Sequence, residues 1–274
     1  MRVKHILQNS SQTLSSGRQT LSHQLSSAMA SIGDMEIVDT LPELVHVFGN
    51  YTAVTARFVS QFSKRHIPVL FTSIDGIAPL LSKDGFYSKS LPLQQAVRSI
   101  CKNATHIHVG GPSESAALQH YSPQLAPIVI PIAECTSLTT PKHMLSQFAH
   151  IYQAMHAAAD QHLRTHAQSM AQAACGAGPD EAITTVCAQL AYLHCLYTKG
   201  CIRRSMLTQS ATLLINTDYD ERQLSTTLGS MNLLSFASNC MTLLQNEAHL
   251  TEGFMPIPAT HGKLLTEMQN MIVD

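Results

Sequence analysis

Leu44-Val45-His46-Val47-Phe48 runs straight into Gly49-Asn50-Tyr51-Thr52, and His106-Ile107-His108-Val109 runs in the same way into Gly110-Gly111-Pro112-Ser113-Glu114-Ser115. Two further apolar runs, Val69-Leu70-Phe71-Thr72 and Ile128-Val129-Ile130-Pro131-Ile132, share the same Gly, Pro or Ser boundaries, and stretches of helix length separate all four. Continuous rather than alternating apolarity is the mark of strands covered on both faces, and so of a parallel sheet. The fold class expected is α/β: a Rossmann-like parallel sheet covered by helices, followed by a mainly helical C-terminal half.

The layout follows from the spacing between those runs. Residues 36–140 read as the α/β domain, with a helix over Thr52 to Ser63 carrying Val54, Phe58, Val59 and Phe62 on one side, and another over Leu93 to Lys102. Ser73 to Leu91 shows no clear period and reads as a lid or an irregular connection. Residues 141–274 read as mainly helical. Pro141 fits the first turn of a helix, and apolar spacing continues through Phe148, Ile151 and Met155 until Gly176 and Gly178-Pro179. Asp180 to Tyr197, Ile202 to Thr212, Asp220 to Leu244 and His261 to Met271 read as further helices, and Leu213-Leu214-Ile215 as a short strand.

Residues 1–35 read as an N-terminal helix or a flexible segment. They carry Arg2, Lys4, Arg18 and eight serines before the first acid at Asp34, as organellar or secretion signals do. The helical spacing of Leu14, Leu21, Leu25, Ala28 and Ile32 instead suggests a helix covering the sheet. The expected location is cytoplasmic, with such a signal as the alternative.

Composition narrows the partners. In 274 residues, 17 basic and 18 acidic side chains leave a net charge of −1, with no basic stripe to follow phosphates, so no nucleic-acid partner is expected. No apolar run nears the length of a membrane span, so no membrane partner is expected either. The seven cysteines show no C-x-x-C pair and read as reduced, mostly buried thiols. His162 and His166 share a helical face but lack the further ligands zinc needs, and His106 and His108 share one side of a strand as core histidines. No metal and no cofactor are expected, and the reading allows a homo-oligomer.

The two glycine-bearing loops carry the chemistry. Gly49, Asn50 and Thr52 lie where a strand meets a helix N-terminus, which offers N–H groups to an anion or, equally, takes Thr52 as an ordinary cap. Gly110 and Gly111 allow close approach of a ligand, Ser113 and Ser115 offer hydroxyls, and Glu114 reads as a base or as a favourable first-turn charge. Both loops leave the C-terminal ends of their strands, so the expectation is that they converge on one anion. The absence of G-x-G-x-x-G and G-x-x-x-x-G-K-[ST] removes support for dinucleotide and nucleoside-triphosphate binding.

Over about residues 20 to 155 this order of strands and Gly- and Ser-bearing turns resembles the SIS (sugar isomerase) phosphosugar-binding domain. The resemblance implies that Gly49, Asn50 and Thr52 belong to a first phosphosugar loop and Ser113 and Ser115 to a second, with Glu134, in Ala133-Glu134-Cys135-Thr136-Ser137, as counterpart of the isomerase base. The function expected is binding of a phosphorylated sugar or nucleotide, as an isomerase or a sensor. The alternative is an interaction protein whose helical half binds a protein partner through Met206, Met231, Met241, Met255, Met268 and Met271.

Overall fold

The computed structural model describes residues 1–7, 24, 25, 27, 35–74, 76, 90–131, 142–176 and 180–273. The chain divides into two compact units, Met1–Ala159 and Asp160–Asp274.

The first unit is built on a six-stranded sheet. Its strands are β1 (Arg2–Leu7), β2 (Glu36–Ile37), β3 (Leu44–Gly49), β4 (Val69–Ser73), β5 (His106–Val109) and β6 (Ile128–Val129). They lie in the order β2-β1-β3-β4-β5-β6, and every pairing is parallel. The four apolar runs of the sequence are thus neighbours, β3 to β6. The helices of this unit are α1 (Ala53–Lys64), α2 (Leu91–Asn103), α3 (Pro112–Tyr121) and the first part of α4 (Lys142–Cys175).

The pleat divides the apolar strand residues between two cores. Val45, Val47, Val69, Phe71, Ile107 and Val109 face Val59, Ala96, Val97, Ile100 and Leu118 of α1, α2 and α3. Val3, Leu44, Phe48 and Leu70 face Met144, Phe148, Tyr152 and Met155 of α4, with Leu25 in the same cluster. Continuous apolarity is therefore explained by cover on both faces.

Several expectations change here. Arg2–Leu7 is a strand inside the sheet, where a helix or a flexible segment was expected. Its Arg, Lys and His side chains hid the strand pattern. Of the N-terminal helix, Gln24, Leu25 and Ser27 are described and helical, and the rest lies outside the described residues, as does most of the irregular segment expected over Ser73 to Leu91. In α1 the covered side is Thr55, Ala56 and Val59, whereas Val54 and Phe58 are exposed.

The second unit is helical apart from a two-stranded parallel ladder of β7 (Ile202–Arg203) and β8 (Ile272–Val273). Its helices are the end of α4, then α5 (Glu181–Lys199), α6 (Arg204–Asn216), α7 (Glu221–Ser230), α8 (Leu234–Ala248) and α9 (Lys263–Gln269). Gly176, with φ 72°, stands where α4 stops. The strand expected at Leu213-Leu214-Ile215 is the last turn of α6, with Leu214 buried. The single helix expected from Asp220 to Leu244 is two helices, broken at Asn232, whose φ is 57°.

Met241 and Met268 are fully buried in the core of this unit, and Met206, Met231 and Met255 pack against it. Among the described cysteines, Cys187, Cys201 and Cys240 are buried and none is in a disulfide. Burial pushes the Cys101 and Cys187 thiols up to about 12 and the Cys240 thiol higher still. Among the described residues no helix is long and apolar enough to cross a membrane.

Candidate functional site

The sheet reverses its direction of growth between β1 and β3, since β2 was added on one side of β1 and β3 to β6 on the other. In open parallel sheets such reversals open a crevice at the C-terminal ends of the strands, where ligands sit. The chain leaves β3 through Gly49, Asn50, Tyr51 and Thr52 at that edge.

Thr52 caps α1. Its Oγ1 accepts from the Thr55 backbone N–H at 3.2 Å and lies 2.9 Å from Thr55 Oγ1, so the expected cap is formed. Asn50 differs. Its side-chain oxygen is buried and has no hydrogen-bond partner, although buried polar atoms are rarely left unpaired. The Asn50 backbone carbonyl accepts from Thr52 N–H at 2.8 Å, which holds the turn tight.

The second loop leaves β5 at the same edge. Gly111 caps α3 with Pro112 at the first helical position, and the Glu114 carboxylate reaches back to accept from the Gly110 N–H at 2.7 Å. Glu114 therefore occupies the donor a phosphate would use, much as the third-position glutamate of a capping box does. Ser113 is exposed and Ser115 half-buried. Glu134 lies outside the described residues.

β4 lies between β3 and β5, which puts the two loops two strand spacings apart, about 10 Å. The Ile74 N–H donates to the Gly49 carbonyl in the gap between them, at 3.0 Å. Loops leaving strands at that spacing can hold opposite ends of one molecule.

The sequence reading did not foresee the polar core on the α4 side of the sheet. His46 Nδ1 lies 2.5 Å from the Tyr152 hydroxyl and His46 Nε2 lies 2.7 Å from Thr72 Oγ1. Thr72 Oγ1 lies 2.9 Å from His108 Nδ1, and His108 Nε2 donates to the Ile130 carbonyl at 3.0 Å. The Tyr152 hydroxyl also lies 3.2 Å from His5 Nε2. His46, Thr72, His108 and Tyr152 are each at most 1% exposed. Burial lowers His5 to about 4 and His46 well below its usual value, and raises Tyr152. His108 is thus the hydrogen-bonded core histidine that was expected. His106 is half-buried, while His162 and His166 lie on an exposed face of α4.

The second unit holds a separate cleft of about 310 Å³, lined by Arg164, Gln168, Thr185, Gln189, Tyr192 and Gln209 among others. Arg164 stacks on the Tyr192 ring, 4.3 Å from its centroid, and donates to Asp160 at 2.8 Å. The Tyr192 hydroxyl donates to the same carboxylate. Among the described residues no group of three or more His, Cys, Asp or Glu side chains is placed to hold a metal ion.

No protein-family model, no curated protein and no solved structure matches the chain.

Proposed function

We propose that the sheet unit binds a phosphorylated sugar or nucleotide at the C-terminal edge of its sheet, with the phosphate at the Gly49–Thr52 turn and the rest of the ligand reaching toward Gly110–Ser115. The observation that carries this reading is the reversal of strand order beside Gly49, which puts the turn and the N-terminus of α1 where such folds bind ligands. The unpaired oxygen of Asn50 adds an acceptor suited to a sugar hydroxyl.

The resemblance to the sugar-isomerase domain supports the same ligand class. Isomerase chemistry falls in this reading to Glu114 or Glu134, but Glu114 is committed to the Gly110 N–H. Binding is the function proposed, with isomerase chemistry left to Glu134.

Thermal unfolding of the full chain with inorganic phosphate, hexose 6-phosphates and nucleoside monophosphates tests it. A ligand at 100 times its dissociation constant stabilises by about 2.7 kcal/mol, a shift of several degrees. Asn50→Ala should remove the sugar-phosphate shift while leaving the ligand-free transition in place, because the Asn50 side-chain oxygen makes no hydrogen bond. An unmoved transition with all three classes of probe overturns the reading.

A further inference from the structure

The hydrogen bonds across the α4 face of the sheet fix one another's direction. The Ile130 carbonyl can only accept, so His108 Nε2 carries a hydrogen. A neutral His108 then presents Nδ1 as an acceptor, and the Thr72 hydroxyl must donate to it. Thr72 has one hydrogen, so its oxygen accepts from His46 Nε2–H. His46 Nδ1 is then an acceptor for the Tyr152 hydroxyl, whose oxygen accepts in turn from His5 Nε2–H.

We propose that His5, Tyr152, His46, Thr72 and His108 form one proton-ordered chain ending on the Ile130 carbonyl, with all three imidazoles neutral and in the Nε2–H form, and that this chain is an acid-sensitive latch across the sheet. It joins β1, β3, β4, β5 and α4 and ends just past β6, so every long strand of the sheet contributes to it.

The surroundings leave no easy place for a charge. Phe48 lies 3.8 Å from the His46 ring by centroid, and Phe148 packs at 5.6 Å from His46 and 5.0 Å from His108. Among the described residues, the ionisable groups that face one another along the chain include His5 from β1, His46 from β3, His108 from β5 and Tyr152 from α4. On the same face, His106 is half-buried on β5. The buried Glu43 lies 3.4 Å from His156 of α4 and accepts from the Arg2 backbone N–H at 2.9 Å.

Unless the rest of the chain reverses its direction at the same time, a proton added to His46 or His108 sets two donors against one another at a hydroxyl and strands a hydroxyl hydrogen in an apolar core. Such a group costs far more than it returns. Acid should therefore act on the chain as a unit, by opening it, rather than on one imidazole at a time.

The test is ¹⁵N-histidine NMR of the full chain. At neutral pH the wild type should show His5, His46 and His108 as neutral Nε2–H forms, and the three should hold those forms on acidification until they are lost together as the sheet unit opens. Thr72→Val cuts the chain at its middle while keeping the side-chain shape. His108 should stay Nε2–H, held by Ile130. His46 should shift toward Nδ1–H, donating to Tyr152, whose hydroxyl then donates to His5 Nε2 with His5 in the Nδ1–H form, because an unpaired buried acceptor is tolerated better than an unpaired N–H. Thr72→Ser should restore the wild-type pattern.

An Nδ1–H or charged form of any of the three in the neutral wild type overturns the proposal, and that measurement stands even if Thr72→Val fails to fold. Stepwise titration of one of the three in an intact fold, or an unchanged His46 tautomer in folded Thr72→Val, also overturns it.

Discussion

Thr52 shows what a single side chain contributes when its hydroxyl does local work. It accepts from the Thr55 N–H and meets the Thr55 hydroxyl, so Thr52→Ala should cost about 1 kcal/mol, read as a lower urea midpoint with an unchanged m-value. An Asn50→Ala substitution two residues earlier breaks no hydrogen bond of the Asn50 side-chain oxygen, so a comparable loss there would mean that this oxygen is paired in solution. The contrast shows how much of the site could be read from residues alone. The Thr52 cap was legible because hydroxyl, spacing and helix start sit together in sequence. The engagement of Glu114 by Gly110 depends on how tightly the turn closes, and the partners of His46 lie 26 and 106 positions away, where no local pattern reaches.

Elements were legible in proportion to how uniformly they are buried. β3 and β4 lie wholly inside, so their apolar runs stand out. β1 sits in the same sheet but has only Val3 buried outright, with Lys4 reaching the Asp39 carbonyl, and its mixed composition gave no strand signal. In α1 a stripe through Val54 and Phe58 is equally helical in spacing, but the side turned inward holds Thr55, a polar residue that periodicity assigns outward. The break between α7 and α8 rests on one residue in the left-handed region, a choice that Asn tolerates but does not announce.

The same conformation closes α8, where exposed His249 takes φ 56°. Glycine avoids the strain of about 1–2 kcal/mol that a side chain meets there and returns part of it as unfolded-state entropy. His249→Gly should therefore raise stability by about 0.5 kcal/mol, checked by urea unfolding. A loss would mean that the imidazole makes a contact worth more than the strain.

At the scale of the whole molecule, acidity is the lever with a defined sign. His5 is held neutral, down to about 4, and His46 well below the ordinary value of 6.5, whereas both regain that value on unfolding. Their folded pKa values are lowered, so the unfolded chain takes up the extra protons and the stabilisation is complete above about pH 6.5. It falls as pH drops from there, because the unfolded imidazoles bind protons that the buried ones refuse. Each such histidine steepens the decline by up to about 1.4 kcal/mol per pH unit. Urea unfolding at pH 7.5, 6.0 and 5.0 measures it, and a flat profile for the sheet unit would show that the imidazoles are reached by water.

The buried thiols give the second unit an internal clock. Cys240, in the middle of α8, is fully enclosed, and burial keeps its sulfur protonated at any ordinary pH. A thiol-directed reagent can react there only in the moments when α8 has come away from its neighbours, so the labelling rate counts those openings directly. The fold thus carries its own reporter of breathing, a native thiol placed at the centre of a core.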